Sequence, residues 1–205
     1  MFRKIFILSL LSIIPTLAAA AFQLPDSGQT LCYDSSGNVI DCAGTGQDGA
    51  YSIYPMSYTD NGNGTVTDNN TGLMWQKCSV GQNNDASCSG SAATYNWYQA
   101  SGTYDATYNS SSQNVCGSLN LGGHSDWRLP SKKELITIVD YSVPYPGPTI
   151  KAAFFPMTIA SVYWSSTTYA GYPDGAWGVY FYGGAVYYYY KDVYYDYVRC
   201  VRGGQ

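Results

Sequence analysis

The most regular pattern in the chain is an alternation of apolar or aromatic residues with small residues or tyrosines near the C-terminus. A period of two predicts strands, because successive side chains of a strand point to opposite faces of a sheet. Gly183-Gly184, between the two alternating runs, predicts a two-residue hairpin turn. The alternation places Trp177, Val179, Phe181, Val186, Tyr188 and Tyr190 on one face, and Gly178, Tyr180, Tyr182, Ala185, Tyr187 and Tyr189 on the other.

Shorter patterns predict the remaining strands. "YTDNGNGTVTD" (58–68) predicts a hairpin at its Asn-Gly steps, and "TGLMWQK" (71–77) predicts a strand that carries Trp75 into a core. "VYWSSTT" (162–168) and "DYVRCVR" (196–202) predict further strands on either side of the alternating runs.

Two segments predict helices. "TYNWYQAS" (94–101) predicts a short one, and "LPSKKELITIVD" (129–140) predicts the clearest helix of the chain. Ser131 and Glu134 have the spacing of a capping box at its start. Leu135, Ile138 and Val139 recur at helical spacing and would face the core.

The first residues have the pattern of a secretory signal peptide. Arg3 and Lys4 precede an apolar run at 5–17 and small residues at 18–21. The apolar run is short for a bilayer span, and Phe22 stands where a lipoprotein would need cysteine. We therefore expect residues 1–21 to be removed, and the protein to be secreted, periplasmic or at the cell surface, without membrane insertion after cleavage.

Charge and cysteine content fit this expectation. Loss of Arg3 and Lys4 leaves 8 basic and 14 acidic residues, so the net charge changes from −4 to −6. Such a chain has no general electrostatic attraction for nucleic acid or anionic lipid. Six cysteines in an exported chain predict disulfides. Proximity along the chain favours Cys32–Cys42 and Cys78–Cys88, which leaves Cys116–Cys200 as the remaining bridge, although six cysteines allow about 15 pairings.

The candidates for metal binding and catalysis are weak. Oxygen-bearing side chains cluster at residues 60–68, but Gly62 and Gly64 break the ligand order of an EF-hand loop, so a turn is predicted. His124, the single histidine, lies in a polar turn beside Asp126, and no nucleophile motif accompanies it. We expect neither a metal, a cofactor nor an enzymatic activity.

Four segments stand in one order along the chain: "DNGNGTVTDNNTGLMWQKC", "GGHSDWRLPSKKEL", "YWSSTT" and "YVRCVR". Together they resemble the Lcl C-terminal domain family, named after a Legionella collagen-like adhesin, from about Gly28 to Arg202. The resemblance implies an α+β, C-type-lectin-like domain, similar to formylglycine-generating enzymes, with two helices and a twisted antiparallel sheet. Residues 22–57 would form a disulfide-clipped extension and residues 58–205 the domain itself.

Some members of this family are variable proteins of diversity-generating retroelements, in which miscopied template adenines rewrite chosen codons near the 3′ end of the gene. Asn codons are the usual targets, and they can become Tyr, Asp, Gly, Ala, Val or Ser codons but not Lys, Glu, Gln, Trp or Met codons. The resemblance implies a variable region at 163–197. Its candidate positions all hold reachable residues: Gly178, Tyr180, Tyr182, Gly183, Ala185, Tyr187, Tyr188, Tyr189, Tyr190, Asp192, Val193, Tyr194, Tyr195 and Asp196.

Ordinary strand composition also produces Tyr and Val, but Asp and Gly do not favour strands, which supports the variable-region interpretation. The interspersed residues would be scaffold: Trp177, Val179, Phe181, Gly184, Val186 and Lys191. Truncating a scaffold residue such as Trp177 is then expected to destabilise the fold as a core truncation does.

The tyrosines themselves permit three interpretations. As core they would need a buried partner for every phenol hydroxyl, so that only some, such as Tyr188 and Tyr190, are expected to face inward. As an aggregation segment the run is interrupted by Lys191, Asp192 and Asp196. As a contact surface they offer rigid, amphipathic area, which is why tyrosine dominates antibody paratopes.

We therefore predict an exported protein whose tyrosine-rich face binds a protein or cell-surface ligand, with glycan as one class of ligand. One alternative is a fixed adhesin or carbohydrate-binding module without diversification. The other is an enzyme related to formylglycine-generating enzymes, which use a reactive cysteine pair, whereas every cysteine here is expected in a structural disulfide. The predicted ligand-binding residues are Tyr169, Tyr172, Asp174, Gly178, Tyr180, Tyr182, Ala185, Tyr187, Tyr189, Asp192, Tyr194, Tyr195 and Asp196.

Overall fold

The computed structural model describes residues 23–203, so the predicted signal peptide at 1–21 lies outside the described residues. The described part is mostly strand, with two short α-helices, α1 (Trp97–Ser101) and α2 (Lys132–Ile136), and one 3₁₀ turn (Asp48–Ala50). The strands are β1 (Cys32–Tyr33), β2 (Val39–Ile40), β3 (Tyr58–Asp60), β4 (Thr65–Asp68), β5 (Met74–Gln76), β6 (Thr94–Tyr95), β7 (Val162–Thr168), β8 (Gly175–Tyr180), β9 (Ala185–Tyr190), β10 (Asp196–Tyr197) and β11 (Val201–Arg202).

The strands form two main sheets and a small hairpin. One sheet has the antiparallel order β11-β5-β4-β3, and the hairpin is β1-β2. The other sheet has the order β6-β10-β7-β8-β9, and its β10–β7 pair is parallel, with Tyr197 opposite Tyr163. The C-terminal sheet is therefore mixed, whereas the sequence predicted an antiparallel one. An α+β, disulfide-bonded fold is confirmed.

Two clusters of buried side chains form the core of the described part. The first core joins the four-stranded sheet to α2 and β8, through residues such as Val66, Trp75, Leu135 and Val179. The second core lies beside α1 and β7 and contains Trp97, Trp127, Trp164, Ala176 and Val198. The predicted burial of Trp75, Leu135, Ile138 and Val139 is confirmed, since each is at most 1% exposed.

Both helices are shorter than the sequence predicted. The capping boxes are present at Asn96–Gln99 and at Ser131–Glu134, so the starts of the helices are well defined. The second helix ends at Ile136, where the Thr137 hydroxyl bonds back to the Glu134 carbonyl at 2.7 Å. The apolar residues that follow reach the core from a turn rather than from a continuing helix. Thr94 and Tyr95, expected in the first helix, pair with β10 as a strand.

Three disulfides join the six cysteines as Cys32–Cys42, Cys78–Cys88 and Cys116–Cys200, the pairs expected from the sequence. The third joins the loop after α1 to the segment before β11. The first holds the β1–β2 hairpin within residues 23–57, which rest on the domain through bonds such as Tyr141 N to Ser27 O at 2.9 Å.

Arg199 is fully buried between the two sheets. Its guanidinium donates to the carbonyls of Gln76 and Lys77 and, at 2.7 Å, to the hydroxyl of Thr158. It also lies over the ring of Phe155, 5.0 Å from the centroid. The guanidinium thus ties the end of β5 to the loop before β7, a role that the sequence pattern did not reveal.

Candidate functional site

The tyrosine-rich run forms the β8–β9 hairpin at one edge of the five-stranded sheet. Gly178 lies opposite Tyr187, and Trp177 opposite Tyr188, so the two faces predicted from the alternation are correct. The predicted two-residue turn is wrong, because Tyr180 pairs with Ala185 across a four-residue loop. Phe181, the first residue of this loop, packs in the first core. Gly184, the last residue, has a φ of 78°.

Each face of this hairpin is covered along only part of its length. On one face, Val179 and Val186 pack against the first core, but Tyr188 and Tyr190 lie beyond its edge. These two tyrosines are 39% and 42% exposed, so the expectation that they face inward is wrong. The alternation defines a face correctly, but the neighbouring elements decide how far along the strand that face is buried.

Five aromatic residues form what we call the Trp177 cluster: Tyr169, Tyr172, Trp177, Tyr188 and Tyr190. Tyr169 contacts both Trp177 and Tyr188, with ring centroids 4.9 and 4.7 Å apart. Tyr172 lies nearly parallel to Tyr188 at 5.9 Å, and Tyr188 meets Tyr190 edge-on at 6.3 Å. Trp177 is half-buried beneath its neighbours, so it belongs to this surface rather than to the core expected from the sequence.

The opposite face carries a second group, the Tyr189 cluster: Tyr180, Tyr182, Tyr187, Tyr189 and Tyr194. Tyr189 packs on the second core beside Trp164 and meets the exposed Tyr194 at 5.2 Å. Burial, followed by the nearby Asp196 carboxylate, raises the pKa of Tyr189 to about 12. Tyr180 stacks on Tyr182 at 5.4 Å, and Tyr187 is 56% exposed.

The structure therefore divides the predicted ligand-binding residues between two faces of one hairpin. Tyr169 and Tyr172 belong to the Trp177 cluster with Asp174 beside them, whereas Tyr180, Tyr182, Tyr187, Tyr189 and Tyr194 form the Tyr189 cluster. Ala185 pairs with Tyr180 at the loop end of the hairpin, and Asp192 and Tyr195 lie in the turn after β9.

Two predicted residues are buried and do not present a side chain to either surface. A Cβ atom at Gly178 would lie 2.7 Å from Val162 Cγ1, so this position requires glycine for close approach of β7. Asp196 is 9% exposed, and its Oδ2 has no hydrogen-bond partner among residues 23–203. Both are framework residues in this fold.

The turn between β9 and β10 brings further residues to the same surface. Lys191 N donates to Asp174 O at 2.9 Å, and its carbonyl accepts from Trp97 N at 3.0 Å. This places Asp174 and Asp192 next to the start of α1, where Tyr98 stacks on Tyr108 at 5.8 Å. Sequence reasoning missed Tyr98 and Tyr108, because nothing in a local pattern indicates that this helix docks against the turn.

Outside the tyrosine clusters, the described chain contains a cavity but no arrangement suited to a metal ion. Within residues 23–203 no group of three or more His, Cys, Asp or Glu side chains is arranged to hold a metal ion. Asp60, in the Asn-Gly hairpin, instead bonds Lys77 at 2.7 Å. No helix in the described part is long and apolar enough to cross a membrane. A cavity of about 450 Å³, lined by Leu24, Ile53, Ile136 and Val139 among others, lies between the N-terminal extension and α2.

Comparison with known proteins gives one family match. The family model described as the Lcl C-terminal domain matches residues 64–202, which include both tyrosine clusters, both α-helices and two of the three disulfides. A search of curated proteins found no match to the chain.

Proposed function

The chain belongs to the Lcl C-terminal domain family, and on this premise we propose that it is an exported binding protein whose tyrosine-rich C-terminal region contacts a protein or cell-surface ligand. We further propose that this region is diversified by a retroelement, and that the fold is C-type-lectin-like. The three disulfides support export, since such bonds persist in oxidising compartments.

The observation that carries the proposal is the match between burial and codon reachability. Fourteen candidate positions hold a residue that a mutated Asn codon could encode, and all of them but Gly178 and Asp196 are exposed or half-buried. Of the interspersed scaffold positions, Val179, Phe181, Gly184 and Lys191 are buried. A region that varies without unfolding needs this arrangement, because substitutions in a close-packed core cost several kcal/mol and surface substitutions cost little.

The chemistry of the exposed positions also supports binding. Tyr172, Tyr187 and Tyr195 are each more than half exposed, although burying such rings would be favourable. Tyrosine loses few rotamers on binding and combines apolar area with a hydrogen-bonding hydroxyl. The interlocked rings of the Trp177 cluster restrict one another further, which lowers the entropy that a partner must remove.

A peptide-display and glycan screen tests the proposal. The wild-type protein is screened, and any ligand found is measured against Tyr172→Ala/Tyr188→Ala and Tyr187→Ala/Tyr194→Ala. We expect at least one of these variants to weaken binding about tenfold or more, because large aromatic anchors dominate interfaces.

The matched control is Tyr33→Ala/Tyr51→Ala, which removes two comparably exposed tyrosines from the N-terminal extension. It should leave binding unchanged, and every variant should keep a melting temperature close to that of the wild type. If both cluster variants retained full affinity, the tyrosines would not form the binding surface. If both variants unfolded, the tyrosines would be packing residues. Either result would contradict the proposal.

A further inference from the structure

The segments that build the tyrosine-rich surface are strongly biased in charge. Residues 79–123 and 152–198 provide α1, its following loop and strands β7 to β10, and they contain one basic residue, Lys191. The same segments contain five acidic residues, of which Asp105, Asp174 and Asp192 are exposed or half-buried around α1 and the turn after β9. Asp196 is buried, and Asp85 lies in the Cys78–Cys88 loop. Around α1 and the turn after β9, a partner therefore meets a predominantly negative potential, whereas Lys132 supplies a positive charge beside Trp177.

Lys191 does not offset this charge at the surface, because its ammonium group is used internally. The residue is 7% exposed, and Nζ donates at 2.9 Å both to the Thr168 hydroxyl and to the Pro173 carbonyl. Nζ also lies 4.1 Å from the centroid of the Trp97 ring. Its neighbours Asp174 and Asp192 form no salt bridge within residues 23–203, and neither does Asp105.

Two tyrosines outside the C-terminal run stand beside these carboxylates. Tyr98 and Tyr108 stack with an angle of 14° between their rings, and Tyr108 is 39% exposed. The loop that carries Tyr108 is fixed, since Asn96 Nδ2 donates to the Tyr108 carbonyl at 2.9 Å. Asp105 turns the loop by accepting from Tyr108 N at 2.8 Å through Oδ1. We call Tyr98, Asp105, Tyr108, Asp174 and Asp192 the acidic rim.

The neighbouring Trp177 cluster already contains a cation–aromatic contact. Lys132, from α2, places Nζ 4.2 Å from the centroid of the Trp177 ring. Aromatic rings attract ammonium and guanidinium groups through the negative face of the ring, and arginine also stacks on them. The surface thus combines exposed aromatic faces with carboxylates that have no cationic partner in the described chain.

From this combination we infer that the partner presents lysine or arginine side chains, held between the tyrosines and the carboxylates of the acidic rim. The inference deepens the proposed function and rests on it. It also extends the surface beyond the variable region, because Tyr98, Asp105 and Tyr108 lie outside residues 163–197. These three residues would contribute a fixed preference for basic groups, to which the variable tyrosines add selectivity.

Fluorescence anisotropy with two labelled peptides of equal length tests the inference. One peptide alternates arginine with serine, and the other alternates glutamate with serine. We expect the wild-type protein to bind the arginine peptide at least about tenfold more tightly than the glutamate peptide near physiological ionic strength. Asp105→Asn/Asp192→Asn should abolish most of this preference, and Tyr108→Ala should weaken binding of the arginine peptide.

The matched control is Asp34→Asn/Asp41→Asn, which removes the same charge from the exposed β1–β2 hairpin. It should leave the affinity for the arginine peptide unchanged. An equal loss of affinity in the control would mean that the peptide responds only to the net charge of the protein, which would overturn the inference. Equal binding of the two peptides, or no binding of either, would overturn it as well. If the display screen instead finds an acidic or neutral ligand that depends on Tyr188, the proposed function stands and the basic partner is excluded.

Discussion

Asp196 is the carboxylate whose surroundings differ most from those of an ordinary surface aspartate. Burial raises its pKa to about 7, and no donor reaches Oδ2 in the described part of the chain. In the unfolded chain the same carboxyl loses its proton near pH 4. As the pH rises from about 4 to about 7, loss of this proton increasingly favours the unfolded state. The contribution of Asp196 to folding stability therefore falls over this range.

We predict that Asp196→Asn removes this fall. At about 1.4 kcal/mol per pKa unit, the folded wild type loses up to about 4 kcal/mol across this range, whereas the variant does not. Urea denaturation of both proteins at about pH 4.5 and at about pH 8 gives the comparison. Parallel pH profiles of the two proteins would contradict the assignment of this carboxyl.

Residue exposure could be predicted from the sequence only in part. The alternation correctly separates Val179 and Tyr188 from Tyr187 and Tyr189. It does not reveal that Val179 is buried while Tyr188, on the same face, is exposed. That difference depends on how far the first core extends along the hairpin, since in the strands it reaches Val179 and Val186 only, and this is a long-range packing property. The inward placement of Tyr188 and the core role of Trp177 were wrong for this reason.

At the scale of elements, the start of α2 was easier to predict than its end. Ser131 and Glu134 define the first turn of α2 because both members of the capping box are close in sequence. The hairpin loop depends instead on distant partners, since Phe181 N donates to Ser161 O and Thr149 N to Phe181 O.

Glu134 is central to α2, and we predict that Glu134→Ala lowers the free energy of unfolding by about 1–3 kcal/mol. Its side chain accepts from Ser131 N at 2.8 Å and forms a two-pronged ion pair with Arg128 at 2.9 and 2.6 Å. Burial alone would raise the pKa of Glu134, but these bonds to Arg128 and Ser131 lower it overall.

Lys133→Ala in the same helix is the control, because Lys133 is exposed. Its unfolding free energy should match that of the wild type within about 0.5 kcal/mol. The stabilisation by Glu134 is present above its unfolded pKa and is lost as the pH falls through the lower folded value. The two variants should therefore converge at a pH below the lowered pKa of Glu134, and a difference that persisted there would exclude the ion pair as its cause.

At the scale of the molecule, three connections tie loops of the domain to the four-stranded sheet and to the segment before β11. Arg128 and Val201 exchange backbone hydrogen bonds at 2.9 and 3.0 Å, Arg199 bonds the end of β5, and Cys116–Cys200 fixes the loop after α1. The N-terminal extension lies outside the family match and has its own disulfide. These connections and the extension's own disulfide therefore stabilise different parts of the chain.

Removal of single disulfides should separate the domain from its extension. Cys116→Ala/Cys200→Ala opens a loop of 84 residues and should cost about 4.5 kcal/mol on the chain-entropy model. Cys32→Ala/Cys42→Ala opens 10 residues and should cost at most about 2.7 kcal/mol, within the extension. Denaturation monitored by tryptophan fluorescence measures the domain, since all five tryptophans lie between residues 75 and 177. Equal effects of the two pairs would contradict this division.

The measurement that tests the central claim most directly is the DNA sequence from the 3′ end of the gene through the neighbouring genes. The account predicts a near-copy of that end, differing at adenines, beside a reverse transcriptase gene. It also predicts that the codons of Gly183, Ala185 and Val193, which are exposed or half-buried reachable positions whose third base is free, end in C or T. If neither the copy nor the reverse transcriptase were present, and these codons ended in any base, the tyrosines would form a fixed surface and the claim of diversification would be wrong.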